Sequence, residues 1–402
     1  MKHIRQLLPG LLLLVYIPAL PQASLDSLMI RVLQYNRSLS MAGQYFESVQ
    51  TGAKRNLYLD NPEVGFGYLW GTPSTLGDRT DLEILQSFSF PTVYSSRMKL
   101  GKAEIEKAFH ILANAKLEKL LEAKKLWIEK VYLNRAQHML SGRMAQLDQV
   151  STHYQLQYEN GEISKISLNK ALLLRATLVA ELYGLRAESL VNQSKIRLIT
   201  GDHPVEINDS MYYLIHINPQ DTVIMESMQD PLYQAYLSEI DRLNMQKRLT
   251  RATGMPEITT GYYSENTQDL SLRGVRLGVT IPLWGNAHKV KHASAEIMTA
   301  ELEADQFRQA AISGIDQLYA RYRISLKKVD DLSEVLDQAD DPGLLSLAVK
   351  TGEISMIEYF YEAEMYYRTW HDLLQAEKQL YLLEAELNKY GLYGHLAVHH
   401  GG

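Results

Sequence analysis

The sequence contains no cysteine in 402 residues. Disulfides, thiolate metal sites and cysteine nucleophiles are therefore excluded together. The acceptor for a lipoprotein anchor is missing too, so a processed N-terminus is expected to be unlipidated. With 12 prolines and 24 glycines there is no low-complexity segment. Beyond the first residues no stretch reaches 18 uninterrupted apolar positions. A chain of this kind that crosses a bilayer must do so as a closed β-barrel. Net charge is −6, and no basic stripe interleaved with aromatics occurs, so nucleic acid is not an expected partner. The catalytic signatures GxxxxGKS/T, HExxH and GxSxG are absent, and neither an enzyme nor a cofactor is expected. His395, His399 and His400 read as part of a C-terminal tail, 391–402, rather than as a metal site.

What is present describes a folded chain, with 46% hydrophobic and 22% charged residues. Residues 1–23 read as a secretory signal: a basic start at Met1 to Arg5, an apolar run from Leu7 to Leu20, and cleavage after Ala23. Pro9, Gly10 and Pro18 interrupt that run, which falls short of the roughly 20 residues of a spanning helix.

The mature chain repeats itself. Asn61-Pro62-Glu63-Val64 is answered by Met255-Pro256-Glu257-Ile258, and Phe90-Pro91 by Ile281-Pro282. Ala103-Glu104-Ile105 is answered by Ala295-Glu296-Ile297, and Gly161-Glu162-Ile163-Ser164 by the identical Gly352-Glu353-Ile354-Ser355. Pro91 and Pro282 are 191 residues apart, as are Gly161 and Gly352, while Pro62 and Pro256 are 194 apart. One register thus holds from the strand-ending prolines to the turns, and the hairpins differ by three residues. Two units are expected, 24–229 and 230–390.

Each unit begins with alternating apolar and aromatic positions, which predict strands at about 62–72 and 80–90, then 256–264 and 272–282. These are the lengths that tilted strands need to cross a bilayer. Thr259–Ser264 alternates least well. Gly65-Phe66-Gly67 lies inside a strand and is not a ligand loop. Long proline-poor segments predict helices at about 96–158 and 166–198, then 290–350 and 356–388, the third broken at Asp340-Asp341-Pro342-Gly343. The last carries a heptad ladder, Tyr359, Glu362, Tyr366, Thr369, Leu373, Ala376, Leu380, Leu383 and Leu387, that predicts packing on a neighbouring helix. The equatorial segment 200–229, with strand-like pieces at Tyr212–Ile217 and Thr222–Met225, is expected to form a belt together with 24–60 and 388–402.

Four strands cannot close around a pore. Three chains would supply twelve, an even number within the outer-membrane range. The expected fold is mixed α and β: long helical hairpins forming an α-barrel, continuous with a transmembrane β-barrel completed by trimerisation.

In order, a leader, the early helix motif Tyr35-Asn36-Arg37-Ser38-Leu39, a Pro-Glu strand start, an Ile-Pro-Leu strand end and a twice-used Gly-Glu-Ile-Ser turn resemble the TolC outer-membrane efflux protein family. The resemblance covers essentially the whole mature chain. It implies a homotrimer in the outer membrane, extending into the periplasm as the channel of a tripartite efflux or type I secretion system. It implies docking of a periplasmic adaptor and an inner-membrane pump at the turns Gly161, Glu162, Ile163, Ser164 and Gly352, Glu353, Ile354, Ser355. It implies a periplasmic aperture at Glu358, Tyr361 and Glu362. The family's acidic position is matched by Glu358, with Tyr361 where a second acid would fall; a ring of Glu358 carboxylates would raise its members' pKa. The alternative is a periplasmic structural or adaptor coiled coil without a membrane barrel.

Overall fold

The computed structural model describes residues 22–73, 77–213, 217–282, 288–339 and 342–393. The signal-like residues 1–21, loop residue Ser74, Asp340, Asp341 and the histidines His395, His399 and His400 lie outside the described residues. Helices α1 (Gln22–Tyr35) and α2 (Arg37–Arg55) precede a hairpin of β1 (Glu63–Leu69) and β2 (Arg79–Phe88). Then come α3 (Pro91–Glu159), α4 (Lys165–Ile199), α5 (Gln220–Ser227) and α6 (Pro231–Ala252). A second hairpin, β3 (Glu257–Asn266) and β4 (Ser271–Thr280), leads to α7 (Lys289–Gln338), α8 (Pro342–Thr351) and α9 (Met356–Leu387). A 3-10 turn, Lys389–Tyr393, follows.

The prolines act as the sequence requires. Pro91 occupies the first turn of α3, where a missing N–H costs no helical bond. With no further proline, α3 runs 69 residues, about 100 Å at 1.5 Å per residue. Apolar side chains buried along its whole length make it the spine of the molecule.

Around that spine the helices form two levels. Near the sheet, α2 and α6 pack on α3, and α6 also packs on α7. Toward the turns, α4 and α9 pack on α3, and α9 also packs on α7. The levels meet end to end. Asn36 caps α2, its Oδ1 accepting from Leu39 N at 3.1 Å, while its Nδ2 donates to the Ile199 carbonyl at the end of α4 at 2.8 Å. Asp230 caps α6, accepting from Leu232 N at 2.8 Å, and takes the Lys389 ammonium just past the end of α9 at 3.0 Å. Both capping residues are buried, 4% and 3% exposed. They stand 194 residues apart, the spacing of Pro62 and Pro256.

Helix α6 was not foreseen from the sequence, and α2 lies along α3 instead of in the belt. The belt itself is α1 with Ile207, Tyr212 and Tyr213, packed on the middle of α3, and α5 packed on α7. Of its two strand-like pieces, the one that is fully described is helical. Residues 214–216 lie outside the described residues, and Thr222–Met225 is the middle of α5. Short apolar runs do not distinguish helix from strand by periodicity. Here Val223 is buried against Ile315 and Tyr319 of α7 as one side of a helical turn.

The four strands form one antiparallel sheet in the order β1-β2-β3-β4. Strand β3, the least regular in sequence, is paired on both sides over its length. Gly261 is required there, because a Cβ would sit 2.1 Å from the Ile84 carbonyl oxygen. The heptad ladder of α9 also needs correction. Leu373, Ala376, Leu380 and Leu387 are buried, but nearer the turn the seam runs through Tyr359, Ala363 and Tyr367 instead of Glu362, Tyr366 and Thr369. A straight helix drifts by roughly 20° per heptad, enough to hand the seam to the next residue.

Candidate functional site

The two faces of the sheet differ in chemistry. Register aligns Val64, Ile84, Tyr262 and Val275 in one row, and Phe88, Ile258 and Val279 in another, all on one face. This face is bare: Val275 and Leu277 are 78% and 77% exposed. The opposite face carries Arg79, Asp81, Glu83, Glu265 and Arg276, with glycines at 65, 67, 261, 274 and 278. These five charges are mutually paired, while Glu63 and Glu257, on the same face at the other end of the sheet, form no ion pair among the described residues. Arg79 pairs with Asp81 at 2.8 Å and Glu265 at 3.1 Å, and Arg276 pairs with Glu83. The apolar face carries one charge, Arg273, near the β3–β4 turn; an exposed apolar face with its charge at the margin, over a face of mostly paired charges, suits lipid outside and water inside. Strands β1 and β4 keep one edge each unpaired among the described residues.

At the far end the two turns share one construction. Gly161 and Gly352 have φ of +80° and +82°. A Cβ on either would meet nothing within 4 Å, so glycine serves the left-handed backbone and not a close approach. The next amide reaches back to close the helix, Glu162 N to Gln157 O at 2.8 Å and Glu353 N to Ala348 O at 2.9 Å. Ser164 and Ser355 then cap the returning helices. The turns lie together: Ile163 and Ile354 pack on one apolar cluster that includes Tyr154, Leu168, Val349 and Tyr359. Glu162 and Glu353 are exposed.

Glu358 has a local partner. Its Oε2 accepts from Ser355 N at 2.7 Å while Ser355 Oγ accepts from Glu358 N at 3.3 Å, a reciprocal capping box. The backbone bond to Ser355 and the bond to its side chain hold this carboxyl below the usual glutamate range. The equivalent residue of the first turn is Ser167, whose amide donates to Ser164 Oγ at 3.2 Å. Glu358, Tyr361, Glu362 and Met365 form an exposed stripe, Tyr361 at 66%, on the side of α9 away from the buried Tyr359, Ala363 and Tyr367.

Spacing arguments did not find the residues that tie the hairpins together near this stripe. Arg143 on α3 pairs with Glu364 and lies over the Tyr367 ring, 5.0 Å from its centroid. Tyr367 Oη donates to Gln146 Oε1 at 2.6 Å, and Lys350 Nζ to Gln149 Oε1 at 3.0 Å. The signal available was an arginine in the apolar stripe of Met139, Leu140, Leu147 and Val150. No group of potential metal ligands occurs among the described residues, and no helix among them is long and apolar enough to span a membrane.

No protein-family model matches the sequence, and no curated protein matches it. Solved structures do match. The fold is shared with bacterial outer-membrane channels of the TolC type. The CusC structure, described as a transmembrane channel, superposes with a TM-score of 0.77 at 12% identity, over 92% of each chain. The outer-membrane channel OprN gives 0.75 at 13% identity, over 92% of this chain and 89% of that one. VceC of Vibrio cholerae gives 0.70 at 14% identity, over 92% and 96%. At these identities the likeness is one of fold.

Proposed function

We propose that this chain is the outer-membrane channel of a tripartite efflux or type I secretion system, working as a homotrimer and catalysing no reaction. The observation that carries this reading is the sheet. It has a bare apolar face, a polar face and two open edges, and stands on a helical rod about 100 Å long. A sheet in water hides its apolar face; one that exposes it and leaves both edges open needs lipid and further strands. Joining β1 of one copy to β4 of the next, three times, gives twelve strands. The two helical levels then supply a continuous wall, and α4 and α7 bring exposed apolar side chains, Leu173, Leu190, Leu302 and Ile324, to its seams. The twice-used succession of helix, hairpin and helical hairpin, with Asn36 and Asp230 capping at equal spacing, supports an origin by duplication.

The turns at Gly161 and Gly352 are the adaptor-docking end. Glu358, Tyr361 and Glu362 line the aperture. Cysteines introduced at the exposed Glu162 and Glu353 should crosslink to a periplasmic adaptor in cells, while the chain remains in the outer membrane after a high-salt wash. Crosslinking only from strand-loop positions near Gly77 would reverse the orientation. Release by salt would return the chain to the class of periplasmic coiled coils.

A further inference from the structure

Where the helices meet the sheet, positive charge accumulates. Residues 54–62, 91–102, 247–256 and 288–292 hold ten of the chain's 41 lysines and arginines and one acid, Asp60. The cations are Lys54 and Arg55 at the end of α2, Arg97, Lys99 and Lys102 near the start of α3, Lys247, Arg248 and Arg251 at the end of α6, and Lys289 and Lys291 at the start of α7. These segments are net +9 in a chain of net −6. None of the ten forms an ion pair among the described residues. The next acids along α3 and α7 are Glu104, which lines one cavity with Arg55 and Arg97, and Glu296, which lies 3.4 Å from His292; neither forms an ion pair with any of the ten.

Helix ends explain part of this. Lys54, Arg55 and Arg251 sit in last turns, where the macrodipole favours cations. The dipole gives no reason for Lys99 or Lys102, which lie beyond its reach, and it opposes Lys289 and Lys291 in the first turn of α7. The helix dipoles therefore do not account for those four, all of them exposed. Exposed apolar and aromatic side chains accompany them, Leu57, Tyr58, Leu59, Met98 and Met255, with Tyr58 73% exposed. Directly above stands the bare apolar face of the sheet. Apolar strand, amphipathic fringe and unpaired cations, in that order, are the layers of a membrane surface entered from hydrocarbon to water.

We propose that this collar binds anionic phospholipid headgroups of the leaflet that faces the helices, fixing the depth of the channel; the proposal rests on reading the sheet as membrane-spanning. The collar segment of α3, residues 91–102, is about 16 Å deep, comparable to a headgroup layer plus the screening length at physiological salt, and the α7 segment covers about 5 Å of that depth.

The test compares the full wild-type chain with a variant carrying Lys99→Gln, Lys102→Gln, Lys289→Gln and Lys291→Gln, and with the same four positions changed to arginine. Each is reconstituted in phosphatidylcholine vesicles with and without phosphatidylglycerol. Flotation after a carbonate wash reads insertion, and native mass spectrometry reads the retained lipid. All three should insert. Wild type and the arginine variant should retain phosphatidylglycerol over phosphatidylcholine, and the glutamine variant should lose that preference by roughly tenfold. Equal retention by the glutamine variant, no preference in the wild type, or loss of preference in the arginine variant would overturn the proposal. So would a changed anion selectivity with unchanged lipid retention, which would put the cations inside the pore. Failure of the wild type to insert into either vesicle would remove the membrane reading of the sheet itself.

Discussion

Glu358 shows how one side chain can answer two demands. Its carboxylate closes the capping box with Ser355, and that bond lowers its pKa. Free glutamate titrates near 4.5. The folded value is depressed, so the bond's contribution is complete above the free value and is lost as pH falls through the lower, folded one. If three Glu358 carboxylates approach one another at an aperture, repulsion acts in the opposite direction and lifts their titration. The two cases separate in planar bilayers. Glu358→Gln should lower cation selectivity. In wild type the selectivity should fall on acidification with a midpoint above the free glutamate value if the residues form a ring, and below it if each serves only its own helix. Unchanged selectivity in the Gln variant would leave Glu358 as a cap alone, since glutamine still accepts from Ser355 N.

At the scale of the element, helices and strands were legible wherever one period ran uninterrupted. The alternation of Val275, Leu277 and Val279 specifies β4, and freedom from proline after Pro91 specifies α3. The two glycine turns were legible because a left-handed residue leaves few substitutes. Helix α6 was not, because its buried face is small and mixed, Ala235, Ser238 and Leu243, and small residues carry little periodic signal. Nor was the link from Arg143 to Glu364, made between residues 221 apart in sequence, since nothing local encodes such a pair. The end-to-end junctions belong here as well. Asn36 satisfies a helix start and a helix end at once, so Asn36→Ala should cost about 1–2 kcal/mol, the upper range for a cap. The loss should appear as a lower unfolding midpoint in detergent with unchanged helical content. A value within a few tenths of wild type would mean that the α2–α4 junction is held by packing alone.

For the whole molecule the governing fact is incompleteness. Among the described residues, a single chain exposes the apolar face of its sheet, two strand edges and the flanks of α4 and α7. The proposed closure by three copies would cover the edges and flanks and leave the apolar face for lipid. The measurement that tests this most directly is the mass of the detergent-solubilised protein, corrected for bound detergent, taken on the same sample that is then shown to conduct in a planar bilayer. The account predicts three chains per particle, with Leu173→Glu on α4 reducing the trimer while Leu173→Met leaves it intact. A conducting particle of one or two chains would contradict it.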